Sequence, residues 1–171
     1  MWLLLDTMRV RRETRGVTDW LRGTWKLIAW RRIATDGTVS YPLGADARGL
    51  LIYTPNGGMA VQITGANRRA LATDDPLGGD AEARAGAYSS YLSYFGTYEL
   101  QGETVVHRID GSLYPNWCGE KQVRPFTAGH GELVLRTPPM QIGDGTTVVN
   151  ELAWAREEPQ RSGTALGNSA A

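Results

Sequence analysis

One cysteine, two histidines and no net charge deprive this chain of several common kinds of chemistry. The single cysteine, Cys118, excludes an internal disulfide and a cysteine-based zinc site, and it suits a reducing cytoplasm, the expected location. No histidine near it in sequence would activate the thiol, so it is not read as a nucleophile. Eighteen basic residues balance eighteen acidic ones, which leaves no electrostatic footprint for nucleic acid or for an anionic membrane as a partner. The apolar opening Met1–Leu5 is too short for a signal-peptide core of about 7–15 residues or a membrane span of about 20. His107 and His130 sit in different settings, so no histidine metal cluster is visible. Neither a phosphate-binding Gly-x-x-x-x-Gly-Lys-Ser/Thr loop nor a dinucleotide fingerprint occurs. No cofactor is therefore expected.

What the chain does have is turn chemistry. Its 171 residues are enough for one domain with a sizeable core. Thr35-Asp36-Gly37-Thr38 follows the β-branched and aromatic run from Trp25 to Ala34, and Asp-Gly between such runs is a strong hairpin signal. Pro55-Asn56-Gly57-Gly58 separates Arg48–Thr54 from Met59–Thr64 with Asn-Gly chemistry. Further strands are predicted at Thr97–Gln101, Thr104–Leu113, Lys121–Thr127, Glu132–Arg136 and Thr147–Arg156. About eight short strands with Gly-rich turns indicate an antiparallel all-β fold, either a sandwich or an up-and-down barrel. Asp80–Ser93 breaks the pattern. There Ala83, Ala87, Tyr88, Tyr91 and Tyr94/Phe95 recur at helical spacing and Gly96 offers a stop, which predicts one inserted helix. Arginines at 9, 11, 12 and 15 follow no period, so residues 1–17 read as a disordered leader and 157–171, rich in Gly, Ser and Ala, as a flexible tail.

Several ordered motifs resemble the lipocalin-like domain family of bacteria and fungi. They are Gly23-Thr24-Trp25-Lys26-Leu27, Tyr41-Pro42-Leu43-Gly44, Ala47-Arg48-Gly49, Leu51-Ile52-Tyr53-Thr54-Pro55-Asn56-Gly57, Tyr94-Phe95-Gly96-Thr97-Tyr98, Ser112-Leu113-Tyr114-Pro115-Asn116-Trp117 and Thr137-Pro138-Pro139. The resemblance spans about residues 20 to 156 and implies an eight-stranded antiparallel up-and-down barrel over 18–156. It implies a central cavity for a small, mostly apolar molecule. It also implies that Trp25 plugs the closed end, with Arg156 the candidate cation over its ring. Related barrels in natural-product biosynthesis are cyclases, including pericyclic ones, and isomerases that fold a polyketide- or terpenoid-like substrate.

Alternation along the strands nominates the residues that face such a cavity. On Thr104–Leu113, Val105, His107 and Ile109 form the more apolar face, so His107 is expected inside as a general acid or base, or else as a hydrogen-bonded core histidine. On Lys121–Thr127, Gln122, Arg124 and Phe126 share a face, and Val123 with Pro125 is the competing buried set. An inward Arg124 would need a carboxylate partner or an anionic or carbonyl ligand, and would be the group to polarise that carbonyl. Tyr53 and Tyr98 are the first candidates for the wall, the helix tyrosines being read as packing or lid residues. Gln62 is a candidate ligand donor although Met59, Val61 and Ile63 make the more apolar set beside it, and Trp117 is a candidate rim residue.

These features suit two functions equally. One is a cofactor-independent cyclase or isomerase, with His107 and Arg124 as the catalytic pair and Tyr53, Gln62, Tyr98, Trp117 and Phe126 as ligand-binding residues. The other is a carrier of a small hydrophobic molecule. A barrel has few unpaired edges, so strand pairing forces no assembly, and a monomer or a homodimer is expected.

Overall fold

The computed structural model of the chain describes residues 19–158. The leader read over residues 1–17, and all of the tail beyond residue 158, lie outside them. Among the described residues ten strands are formed: β1 (Gly23–Ala34), β2 (Val39–Ser40), β3 (Arg48–Tyr53), β4 (Gly58–Thr64), β5 (Tyr91–Gln101), β6 (Thr104–Ser112), β7 (Lys121–Gly129), β8 (Glu132–Arg136), β9 (Met140–Gln141) and β10 (Thr147–Arg156). Each long strand pairs antiparallel with its neighbours, and β1 pairs with both β3 and β10. Eight strands thus close on themselves as an up-and-down barrel, with β2 and β9 as short flaps on β1 and β10. A closed ring leaves no long unpaired edge.

The predicted hairpin turns lie where the strands reverse, with Gly37 and Gly57 at positive φ of 85° and 87°, a conformation glycine adopts without Cβ strain. The inserted helix, α1 (Ala81–Ser89), is shorter than the periodicity of Asp80–Ser93 predicts. Asp80 caps its start by accepting from the Ala83 N–H at 2.8 Å. The tyrosines beyond it belong to β5, whose residues Tyr91 to Thr97 pair one for one with Thr64 to Gly58 of β4. The helical spacing loses there to seven ladder pairs with β4 and eight with β6 in a closed sheet. Gly96 is needed in the strand rather than as a stop: it sits at a bulge opposite β6, where a Cβ would come within 1.9 Å of the Arg108 carbonyl oxygen.

The interior has two halves. At the closed end Leu21, Trp25, Leu51, Tyr53, Val105 and Leu133 are almost completely buried. The Trp25 indole N–H donates to the Leu21 carbonyl at 2.9 Å, which ties the helical turn before β1 across the end of the barrel. Arg156, opposite Trp25 in the β1–β10 ladder, lies 4.4 Å from its ring centroid and also donates to the carbonyls of Arg22 and Trp20. Outside the same seam, Glu151 bridges Arg31 of β1 at 2.6 Å and Arg136 of β8 at 2.8 Å. No helix among the described residues is long and apolar enough to cross a membrane.

Candidate functional site

The other half of the barrel is open. The first strand's far end (Trp30, Arg32), the start of β5 (Leu92, Tyr94), the start of β7 (Gln122, Arg124) and Leu135, Asn150, Leu152 and Trp154 surround a cavity of about 520 Å³. Tyr114 and Trp117, the latter in the 3₁₀ turn Pro115–Trp117 between β6 and β7, stand at the rim with Pro138, Pro139 and Met140. The Trp117 ring meets Tyr94 edge-on at 5.5 Å and Tyr114 at 5.7 Å, so the three rings brace one another. The volume lies in the range of about 300–1,000 Å³ usual for small-molecule sites.

Arg124 is the only cation deep in this wall, and its side chain is buried with 6% exposure for the residue. It is inward because β7 pairs with β6 so that the exposed Val123 lies beside Val106 on the other face of the sheet, leaving Gln122 and Arg124 on the inner one. Its guanidinium donates to Gln122 Oε1 at 3.0 Å and to the Val123 carbonyl at 3.2 Å. Both acceptors are neutral, and among the described residues no carboxylate forms an ion pair with it.

Behind the wall runs a chain of aromatic polar groups. His107 is fully buried, with Nε2 2.6 Å from the Tyr53 hydroxyl and Nδ1 3.1 Å from the Tyr94 hydroxyl. Burial, and then the Arg124 charge, lower its pKa to about 3, so the ring is neutral. A neutral imidazole has one N–H and one acceptor nitrogen, so one tyrosine donates to the ring and the other accepts from it. Burial raises the Tyr94 phenol, while the charge of the nearby Arg124 acts against that shift. Tyr53 is raised well above its ordinary value, first by burial.

The residues singled out in the sequence fall into three groups. Arg124 and Trp117 line the cavity. His107, Tyr53, Tyr98 and Phe126 lie within the barrel but outside the cavity wall: Tyr53 stacks on Tyr98 at 4.6 Å, Tyr98 donates to the Thr54 carbonyl at 3.1 Å, and Phe126 packs on the core. Gln62 is a correction. Met59, Val61 and Ile63 take the inner face of β4, so Gln62 points outward and accepts from the Tyr91 hydroxyl at 2.8 Å. The wall also takes in Trp154, Asn150 and Leu152, which the sequence reading does not single out for it, and Tyr94, which that reading makes a packing or lid residue. The inward set on β10 (Val148, Asn150, Leu152, Trp154) is visible as alternation, but Tyr94 is masked by the helical reading of its segment.

No curated protein matches the chain. A crystal structure of a mutant of the fluorescent protein UnaG aligns over 81% of this chain and 96% of its own, at 16% identity and a TM-score of 0.35. The model of the lipocalin-like domain matches residues 22–157, which takes in every strand of the barrel from the Gly23-Thr24-Trp25 opening of β1 to Arg156. The chain belongs to the lipocalin-like domain family.

Proposed function

We propose that the protein holds a small, mostly apolar molecule inside the barrel, with its polar end directed at Arg124. The cavity carries this reading. Its wall is built from Trp30, Leu92, Tyr94, Leu152 and Trp154, its volume is about 520 Å³, and the only deep charge in it is Arg124. Apolar burial supplies affinity in such a site and a few polar groups supply orientation.

A second reading, a cofactor-independent cyclase or isomerase, is favoured by one observation: the Tyr94 hydroxyl, 3.1 Å from His107 Nδ1, lines the same cavity as Arg124 and feels its charge. A ligand carbonyl held by Arg124 and Tyr94 would be polarised, and negative charge developing on its oxygen would be stabilised by both groups. His107, lying behind Tyr94, would act as a positioning residue that fixes the phenol. The aromatic wall would hold a flexible polyketide- or terpenoid-like chain in a reactive shape, which can supply several orders of magnitude in rate.

Native mass spectrometry after exposure to a metabolite extract of the source organism separates the two. A molecule retained unchanged at one per barrel supports the carrier. A metabolite replaced by an isomer of the same mass supports the enzyme, and this conversion should fall at least tenfold in Tyr94→Phe. If no molecule is retained and none is converted, both readings fail.

A further inference from the structure

The inventory of polar groups around the cavity is one-sided. Its wall contains two arginines, Arg124 in the depth and Arg32 at the mouth, and neither aspartate nor glutamate. Arg32 has a neutral acceptor in Asn150, 3.4 Å from its Nε, and meets the field of Asp144 on the loop after β9. Arg124 has no such acid. A guanidinium has five N–H donors, and Gln122 and the Val123 carbonyl supply two acceptors, so three donors are left over. A second donor is stranded in the same wall: the buried Trp154 indole N–H has no acceptor among the described residues. Ion pairs are formed on the outer surface instead, as in Lys26–Glu157, Arg108–Glu99 and the Arg31–Glu151–Arg136 bridge.

A buried cation without a counter-ion is costly unless something brings the opposite charge to it. Neutral dipoles such as the Gln122 amide satisfy hydrogen bonds but leave the charge uncompensated. Nor does the neighbouring imidazole help, because His107 is neutral and so neither supplies nor cancels charge. The missing partner is therefore a group with net negative charge and several acceptor oxygens, small enough to reach Arg124 past the rim rings of Trp117 and Tyr114. Resting on the ligand-binding reading above, we infer that the ligand is an organic acid, an apolar body ending in a carboxylate or an equally acidic enolate. Its anionic head sits on Arg124 and Tyr94, with the Trp154 N–H as a further donor, while its body fills the aromatic half of the cavity toward the rim.

The test uses a matched series. N-phenyl-1-naphthylamine, uncharged and fluorescent in apolar surroundings, reports occupancy of the cavity. 2-Naphthylacetic acid, its methyl ester and its primary amide then compete with it at pH 7.5. The expected result is that the acid displaces the probe at a concentration at least about tenfold lower than either neutral analogue, as for a charge-assisted pair. This ratio should approach one in Arg124→Met and be largely kept in Arg124→Lys, with folding of each variant checked by thermal melting. Because an uncompensated charge is removed, the empty Arg124→Met barrel should melt no lower than the wild type. An acid-to-ester ratio near one in the wild type, with the probe bound one per barrel, overturns the acid inference and leaves the binding reading intact. Failure of the probe and of every competitor to bind overturns both. Should Arg124→Met not fold, the wild-type ratio and its retention in Arg124→Lys decide the matter alone.

Discussion

Two arginines enter this barrel from opposite ends, and their surroundings differ in kind. Arg156 at the closed end lies over the rings of Trp25 and Trp20 and donates to the carbonyls of Arg22 and Trp20. It has aromatic faces to spread its charge against and backbone oxygens to receive its protons, all within the fold. Arg124 in the open half has two neutral acceptors at hydrogen-bond distance and a 520 Å³ space in front of it. The same side chain thus serves as a rivet where the protein completes its contacts and as a receptor where it leaves them incomplete. Stability and recognition are separated along the barrel axis, and substitutions at the two ends should separate in the same way.

The largest effect is expected at the closed end. Trp25→Ala removes a fully buried ring and orphans the contact with Arg156, and should cost about 3–5 kcal/mol of unfolding free energy in denaturant. Arg156→Met should cost about 2 kcal/mol, from the loss of two charged hydrogen bonds and the ring contact, while leaving cavity occupancy unaltered. A comparable loss in Arg124→Met would erase the contrast between the two arginines.

His107 lies between the two regions, and its effect appears only on acidification. Unfolded, its imidazole protonates near 6.5; folded, it does not do so until about 3. Over that window the unfolded chain binds the extra proton, so stability falls as pH falls, by up to about 1.4 kcal/mol per pH unit. From pH 7 to pH 5 the wild type should lose about 2 kcal/mol more than His107→Gln, read from denaturant unfolding at each pH. Parallel pH profiles for the two proteins would place the imidazole in a more polar setting than the one seen between Tyr53 and Tyr94. The smallest effect is expected at the rim. Trp117→Ala should weaken binding of N-phenyl-1-naphthylamine about fivefold, roughly 1 kcal/mol, with little change in melting.

Much of the container was legible in the chain. The Asp36-Gly37 and Asn56-Gly57 turns mark hairpins because only a few residues accept the backbone those turns require, and this information is local. The inward face of β6 was legible because Val105, His107 and Ile109 outweigh Val106, Arg108 and Asp110 in apolar character. On β7 the two faces are nearly balanced, and its orientation is set by register against β6, a fact about another strand. The segment around Tyr91 and Tyr94 misleads for a similar reason: its local spacing is helical, but two neighbouring strands claim it. The cavity was the least legible part, because its wall gathers one to three residues each from β1, β4, β5, β7, β8 and β10 that no short window contains together.

The pairing of Trp25 with Arg156 also has a consequence for how the protein is made. Strands β3 to β8 can zip in order as each emerges from the ribosome, since every new strand finds its partner immediately before it. The first strand pairs with β3 early but waits on its other side for β10, the last to be synthesised. Until residue 156 clears the exit tunnel the sheet is an open, curled ribbon with two bare edges, and the Trp25 plug lacks the cation that covers it. Nascent chains stalled just short of β10 should therefore be the species most exposed to aggregation and to chaperone capture, and release of the final ten-residue strand seals the vessel in one step.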